Sequence, residues 1–129
     1  MIKISTLFPV FVVQDLPALQ TWYQRHFGFE TVFFESGFYL HLVNTESGVQ
    51  LGFLVPDHAS QPPFLQGLAT PAGMVVSFEV DDARAAYATA QQESLDIAMD
   101  YREETWGQRH FILRDPQGLL IDIVQHTQE

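Results

Sequence analysis

The chain has 129 residues, 47% of them hydrophobic, with sixteen acids against six bases for a formal net charge of −10, and it has no cysteine. That length suits a single domain, residues 1–129, burying about two-thirds of its unfolded surface, and the missing thiols exclude disulfides, thiolate metal sites and a cysteine nucleophile. The acidic balance argues against nucleic acid, whose phosphates require clustered Lys and Arg; it suits cationic ligands, with plain solubility as its ordinary explanation.

In chain order, residues 7–13 are β-branched and aromatic and predict a strand. The run is far too short to span a bilayer, and the lone Lys3 before it makes a poor signal-peptide start, so the expectation is a cytoplasmic protein without membrane contact. Asp15 then caps a helix with Pro17 in its first turn. Leu16, Leu19, Tyr23 and Phe27 recur at helical spacing, and Gly28 stops it. Three strands are predicted next, over 29–35, 38–44 and 49–55, separated by the Ser36-Gly37 and Glu46-Ser47-Gly48 turns.

Residues 56–72 carry four prolines and read as a connection, long enough to act as a cover over a cavity. The second half repeats the order of the first. A strand over 74–80 leads to a helix capped by Asp82, with Ala83, Ala86, Tyr87 and Ala90 on one face. Strands near 97–102, 108–114 and 119–125 follow. In the turn Asp115-Pro116-Gln117-Gly118, Asp opens, Pro fixes φ, and Gly supplies the left-handed residue.

The halves are therefore one unit written twice. Phe11-Val12-Val13-Gln14-Asp15 opens the first and Phe78-Glu79-Val80-Asp81-Asp82 the second, and each closes with a glycine and an apolar strand, at 48–55 and 118–125. The expected organisation is module 1 over about residues 5–55, a connection over 56–72 and module 2 over 73–127. Strand alternation sets Phe11, Val13, Phe78 and Val80 under the helices. It turns Phe8, Val10, Val12, Gln50, Gly52 and Leu54, with Val75, Ser77, Glu79, Leu120, Asp122 and Val124, to the other face.

These segments, together with Trp22-Tyr23, Phe27-Gly28-Phe29-Glu30, Trp106-Gly107 and Arg114-Asp115-Pro116-Gln117-Gly118-Leu119, carry a resemblance that runs almost end to end. The chain resembles the vicinal oxygen chelate superfamily, which includes glyoxalase I, extradiol dioxygenases, and fosfomycin- and bleomycin-resistance proteins. The resemblance implies an α+β fold of two βαβββ modules, forming a cupped mixed sheet with helices on its outer face, often within a homodimer. In metal-dependent relatives it implies four inward His, Gln or Glu ligands, whose positions here are Phe8, Gln50 (or Gly52), Val75 and Asp122. Phe and Val cannot coordinate a metal, and catalytic sites need three or more N or O donors. The expectation is no metal and no cofactor, and with them no Lewis acid for lyase or dioxygenase chemistry.

The five histidines offer partial alternatives. His26 sits at a helix end, where a dipole contact explains it, and His58 lies in the connection. His126 follows the last predicted strand, in a loose terminus. His41 and His110 fall on strands that face the cup, either as ordinary hydrogen-bonded strand histidines or as a pair across the module interface. Ser77 beside Glu79 has no identifiable base or oxyanion site. Asp122 is open to three readings: a carboxylate satisfied by neighbouring amides, an acid–base group, or a partner for a bound cation.

Aromatic residues make up 13% of the chain. Phe8, Phe33, Phe38, Tyr39, Phe53, Phe64, Tyr101 and Trp106 fall where the cup or its rim is expected, most of them as ordinary core. Trp106 stands apart because it sits in a polar stretch, Arg102-Glu103-Glu104-Thr105, and in resistance-type relatives the matching Trp-Gly pair lies near the ligand cavity. The reading is a metal-free small-molecule binder resembling the bleomycin-resistance branch. It would hold an aromatic and, on the charge argument, cationic compound such as an antibiotic through Phe8, Tyr39, His41, Gln50, Glu79, Trp106 and Asp122. The same fold also admits a glyoxalase-like lyase or isomerase using Gln50, Asp122 or His41, and a noncatalytic interaction or regulatory domain.

Overall fold

A computed structural model describes residues 1–127. The chain divides into two compact units, Met1–Ala69 and a second from Thr70 onward. The first unit runs β1 (Val10–Val12), α1 (Leu16–Phe27), β2 (Glu30–Glu35), β3 (Tyr39–Val43) and β4 (Gln50–Leu54). Its sheet order is β1-β4-β3-β2, with β1 parallel to β4 and the other pairs antiparallel. The second unit repeats this with β5 (Val76–Glu79), α2 (Ala83–Gln92), β6 (Ile97–Glu104), β7 (Gln108–Arg114) and β8 (Leu120–His126) in the order β5-β8-β7-β6. The chain thus has two four-stranded mixed sheets, each with one flanking helix, in the expected βαβββ order.

The local causes are those the residues announce. Asp15 Oδ1 accepts from the Ala18 amide at 3.2 Å and Asp82 Oδ1 from the Ala85 amide at 3.0 Å, each satisfying a first-turn N–H. Gly28 ends α1 at φ 68°, where a side chain would be strained. Before β8, the buried Asp115 carboxylate accepts from the amides of Gln117 and Leu119 at 2.8 and 3.0 Å, closing the turn.

Register fixes the faces. Phe11, Phe53, Leu40 and Phe34 align across the first sheet. This row lies beneath α1, where Tyr23 meets Phe53 at 5.5 Å between ring centroids and both are fully buried. In the second sheet Phe78, Ile123 and Phe111 align beneath α2, with Tyr87 5.2 Å from Phe111. The opposite, helix-free face carries Val10, Gly52 and His41 in one sheet, and Ser77, Asp122 and Ile112 in the other, as alternation predicts.

Several boundaries differ from expectation. The first strand begins at Val10, because Pro9 has no N–H to extend the parallel ladder; its carbonyl accepts from Gly52 at 2.9 Å, and Phe8 precedes the strand. Val75 likewise lies just before β5. The β6 strand continues to Glu104 because Glu103 and Glu104 pair with Arg109 and Gln108, so its polar end is strand rather than loop. His126 is not in a loose terminus; it ends β8, paired with Gln108. The connection contains a 3-10 turn, Pro63–Leu65, and is tied back to the first unit where the Ala69 amide donates to the Val12 carbonyl at 2.8 Å. Phe33 and Phe64 are not core: β2 is a sheet edge, and Phe64 is 84% exposed on the 3-10 turn.

Because Phe53 fills the centre of the helix-facing row, Phe53→Ala is expected to cost about 3–5 kcal/mol. Urea denaturation checks this, against a Phe64→Ala control expected within about 0.5 kcal/mol of wild type.

Candidate functional site

On the helix-free face of the first sheet, three expected site residues are joined by hydrogen bonds. Tyr39 and His41 are alternate residues of β3, and His41 lies diagonally opposite Gln50 of β4, since Val43 is the direct partner of Gln50. Diagonal neighbours are within reach of long side chains. Gln50 Oε1 lies 2.7 Å from His41 Nε2, and the Tyr39 hydroxyl 2.8 Å from His41 Nδ1. An amide oxygen only accepts, so Nε2 carries the proton, Nδ1 accepts, and Tyr39 donates. Burial pushes the Tyr39 phenol up from its ordinary value, which keeps that proton in place. Phe8 meets the imidazole edge-on, with centroids 4.7 Å apart.

Gly52 makes this arrangement possible. A Cβ at that position would collide with the Tyr39 hydroxyl, which occupies the space a side chain would take. Glycine is needed here for close approach rather than for backbone freedom.

The second sheet carries the same diagonal with different chemistry. His110 of β7 lies diagonally opposite Asp122 of β8, whose direct partner is Ile112. His110 Nδ1 is 2.9 Å from Asp122 Oδ1, and Nε2 is 2.8 Å from Glu104 Oε2. With carboxylates on both sides, both ring nitrogens donate and the imidazolium is favoured. Burial alone would pull His110 down, yet the hydrogen bonds and charges of Glu104 and Asp122 outweigh it and the net shift is upward. Glu104 is held below the ordinary carboxylate value, chiefly by His110, with Arg102 Nε adding a contact at 2.9 Å. Arg102, Glu104, His110 and Asp122 therefore form a chain of alternating charge.

His41 and His110 are accordingly each hydrogen-bonded within their own sheet. The other two expected site residues lie apart from these clusters. Glu79 is exposed on β5 with its Oε1 3.4 Å from His126 Nε2. Trp106, 68% exposed in the β6–β7 turn, donates from Nε1 to Gln108 Oε1 at 3.1 Å. Glu104 was not among the expected residues. Its signal was the alternation of β6 carried two residues further, which sets it on the same face as Arg102.

The residues do not fit a metal. Phe8 and Val75 have no donor atom, Gln50 Oε1 and Asp122 Oδ1 already accept from histidines, and among the described residues no group of three or more His, Asp or Glu could hold an ion.

Residues 6–123 match the Glyoxalase/Bleomycin resistance protein/Dioxygenase superfamily. The chain belongs to that superfamily. A comparison with curated proteins finds no match. Among solved structures, one from the mobile metagenome of V. Pseudocholerae is 25% identical, with a TM-score of 0.74 over 99% of both chains. A superfamily member from Sphaerobacter thermophilus DSM 20745 is 21% identical, with a TM-score of 0.76, covering 95% of this chain and 98% of that one. A lactoylglutathione lyase from Agrobacterium tumefaciens is 19% identical, with a TM-score of 0.76, covering 94% and 92%. The last two likenesses establish the fold alone.

Two outcomes follow. Gly52→Ala is expected to expel the Tyr39 ring and destabilise by about 1–3 kcal/mol, and denaturation in a Tyr39→Ala background should show most of that cost removed. Stability contributed by His110 is fully present below the ordinary imidazole value of 6.5 and is lost as pH rises through its raised folded value. His110→Gln is expected to flatten that alkaline limb in urea unfolding measured from pH 6 to 9.

Proposed function

We propose that this chain is a metal-independent binding protein of its superfamily that sequesters a small aromatic compound without transforming it. The reading is carried by the chemistry of the four positions that the resemblance assigns to ligands in metal-dependent relatives, with Gln50 or Gly52 as the second of them. Phe8 and Val75 offer hydrocarbon, Gln50 serves as the acceptor of His41, and Asp122 as the acceptor of His110. A face so filled has aromatic surface and fixed polar atoms to hold a planar molecule, and the polar atoms at two of these positions are already engaged with histidines.

The aromatic content supports the ligand class. Phe8, Phe33 and Tyr39 gather around His41, with Phe33 directly opposite it on β2 and 6.4 Å from Tyr39 between centroids. Positive charge on the ligand would draw on these ring faces and on the overall acidity more than on Asp122, whose charge His110 already balances. Kinship in character with the bleomycin-resistance branch, a cytoplasmic setting and a homodimer belong to the same proposal. The chain has no cysteine, and among the described residues no helix is long and apolar enough to cross a membrane.

Elemental analysis of the purified protein is expected to find well under one equivalent of metal, and isothermal titration calorimetry with bleomycin and with 9-aminoacridine to give saturable binding at micromolar concentrations. Stoichiometric metal accompanied by methylglyoxal–glutathione turnover, or no binding of either compound, would overturn the reading.

A further inference from the structure

The hydrogen-bond chain on the first sheet has a direction, and the direction constrains what can bind. Gln50 Oε1 accepts from His41 Nε2, which leaves Nδ1 as the acceptor for the Tyr39 hydroxyl. The phenol has a single proton and it is spent on His41. What Tyr39 still offers on the helix-free face is oxygen lone pairs. The backbone reinforces this: Gly52 opens the space in which the hydroxyl sits, and Phe8 braces the imidazole edge-on. In the second sheet the corresponding diagonal ends in carboxylates clamped on a doubly donating ring, so the two faces differ in what they present.

Building on the binding role proposed above, we infer that Tyr39 is the specificity-determining hydrogen-bond acceptor of the site and selects an aromatic ligand bearing an N–H donor, with His41 and Gln50 as positioning residues. A ligand that can only accept at that point meets an oxygen with no proton to give. The discrimination is strong because a polar group buried against an unmatched partner loses its hydrogen bonds to water without replacement.

Two measurements test this. Long-range 15N correlation spectra of the histidine rings at pH 8 are expected to show His41 as the Nε2–H tautomer in wild type, and to lose that preference in Gln50→Leu. An Nδ1–H tautomer would make Tyr39 a donor and overturn the inference. Fluorescence titration then compares 9-aminoacridine with 9-(dimethylamino)-10-methylacridinium, which keeps the ring system and the positive charge but has no N–H. Wild type is expected to prefer the first by about tenfold or more, and Tyr39→Phe to erase the preference by weakening that ligand alone. If Tyr39→Phe weakens both equally, or neither, while binding persists, Tyr39 does not select and only this inference fails. If neither acridine binds wild type, the binding role and the inference fall together. Thermal melts of both variants identify any loss that comes from unfolding.

Discussion

In both sheets a histidine reaches diagonally to a polar side chain on the closing strand, and that contact governs what the helix-free faces can do. A part-buried imidazole must find partners for two nitrogens, and leaving either unmatched costs about 1–3 kcal/mol. The chain meets that demand locally and differently in each unit. His41 lies between a phenol and an amide, neither of which demands a charge on the ring. His110 lies between two carboxylates, which do. One duplicated framework thus carries a phenol–imidazole–amide relay in its first copy and a carboxylate–imidazole–carboxylate relay in its second.

This pairing also limits what the helix-free faces offer to a metal ion. Ligand atoms must be available as well as present. At the positions that the resemblance implies for ligands, Gln50 Oε1 and Asp122 Oδ1 are engaged with histidines, and Phe8 and Val75 are hydrocarbon. The sheet, caps and turns that once-duplicated modules require depend on none of these residues, so the framework tolerates the change.

Much of the architecture was legible in the chain. Asp15 and Asp82 announce helix starts, Gly28 a stop, and the Asp115 to Gly118 turn a strand junction, because each meets a local backbone requirement that few residues can satisfy. Alternation also placed Gln50, Gly52 and Asp122 on the correct face. The site was less legible. Tyr39, His41 and Gln50 could each be named, but periodicity assigns a face without assigning register, and only register makes His41 the diagonal neighbour of Gln50. Glu104 was passed over because a run of charges reads as a turn, whereas cross-strand pairing with Gln108 keeps it extended. The charge of Asp122 was read as available to a cation because nothing in its own strand reveals that His110 is already bound to it.

The tie between the Ala69 amide and the Val12 carbonyl has a consequence for how the two copies are joined. With the connection secured to β1 up to that point, and β5 beginning at Val76, the covalent bridge between the repeats reduces to residues 70–75. The long proline-bearing segment is therefore an appendage of the first repeat rather than a spacer shared by both. A nick within that short bridge would divide the chain unequally, the first part keeping the 3-10 turn and its exposed Phe64, the second starting almost directly at a strand.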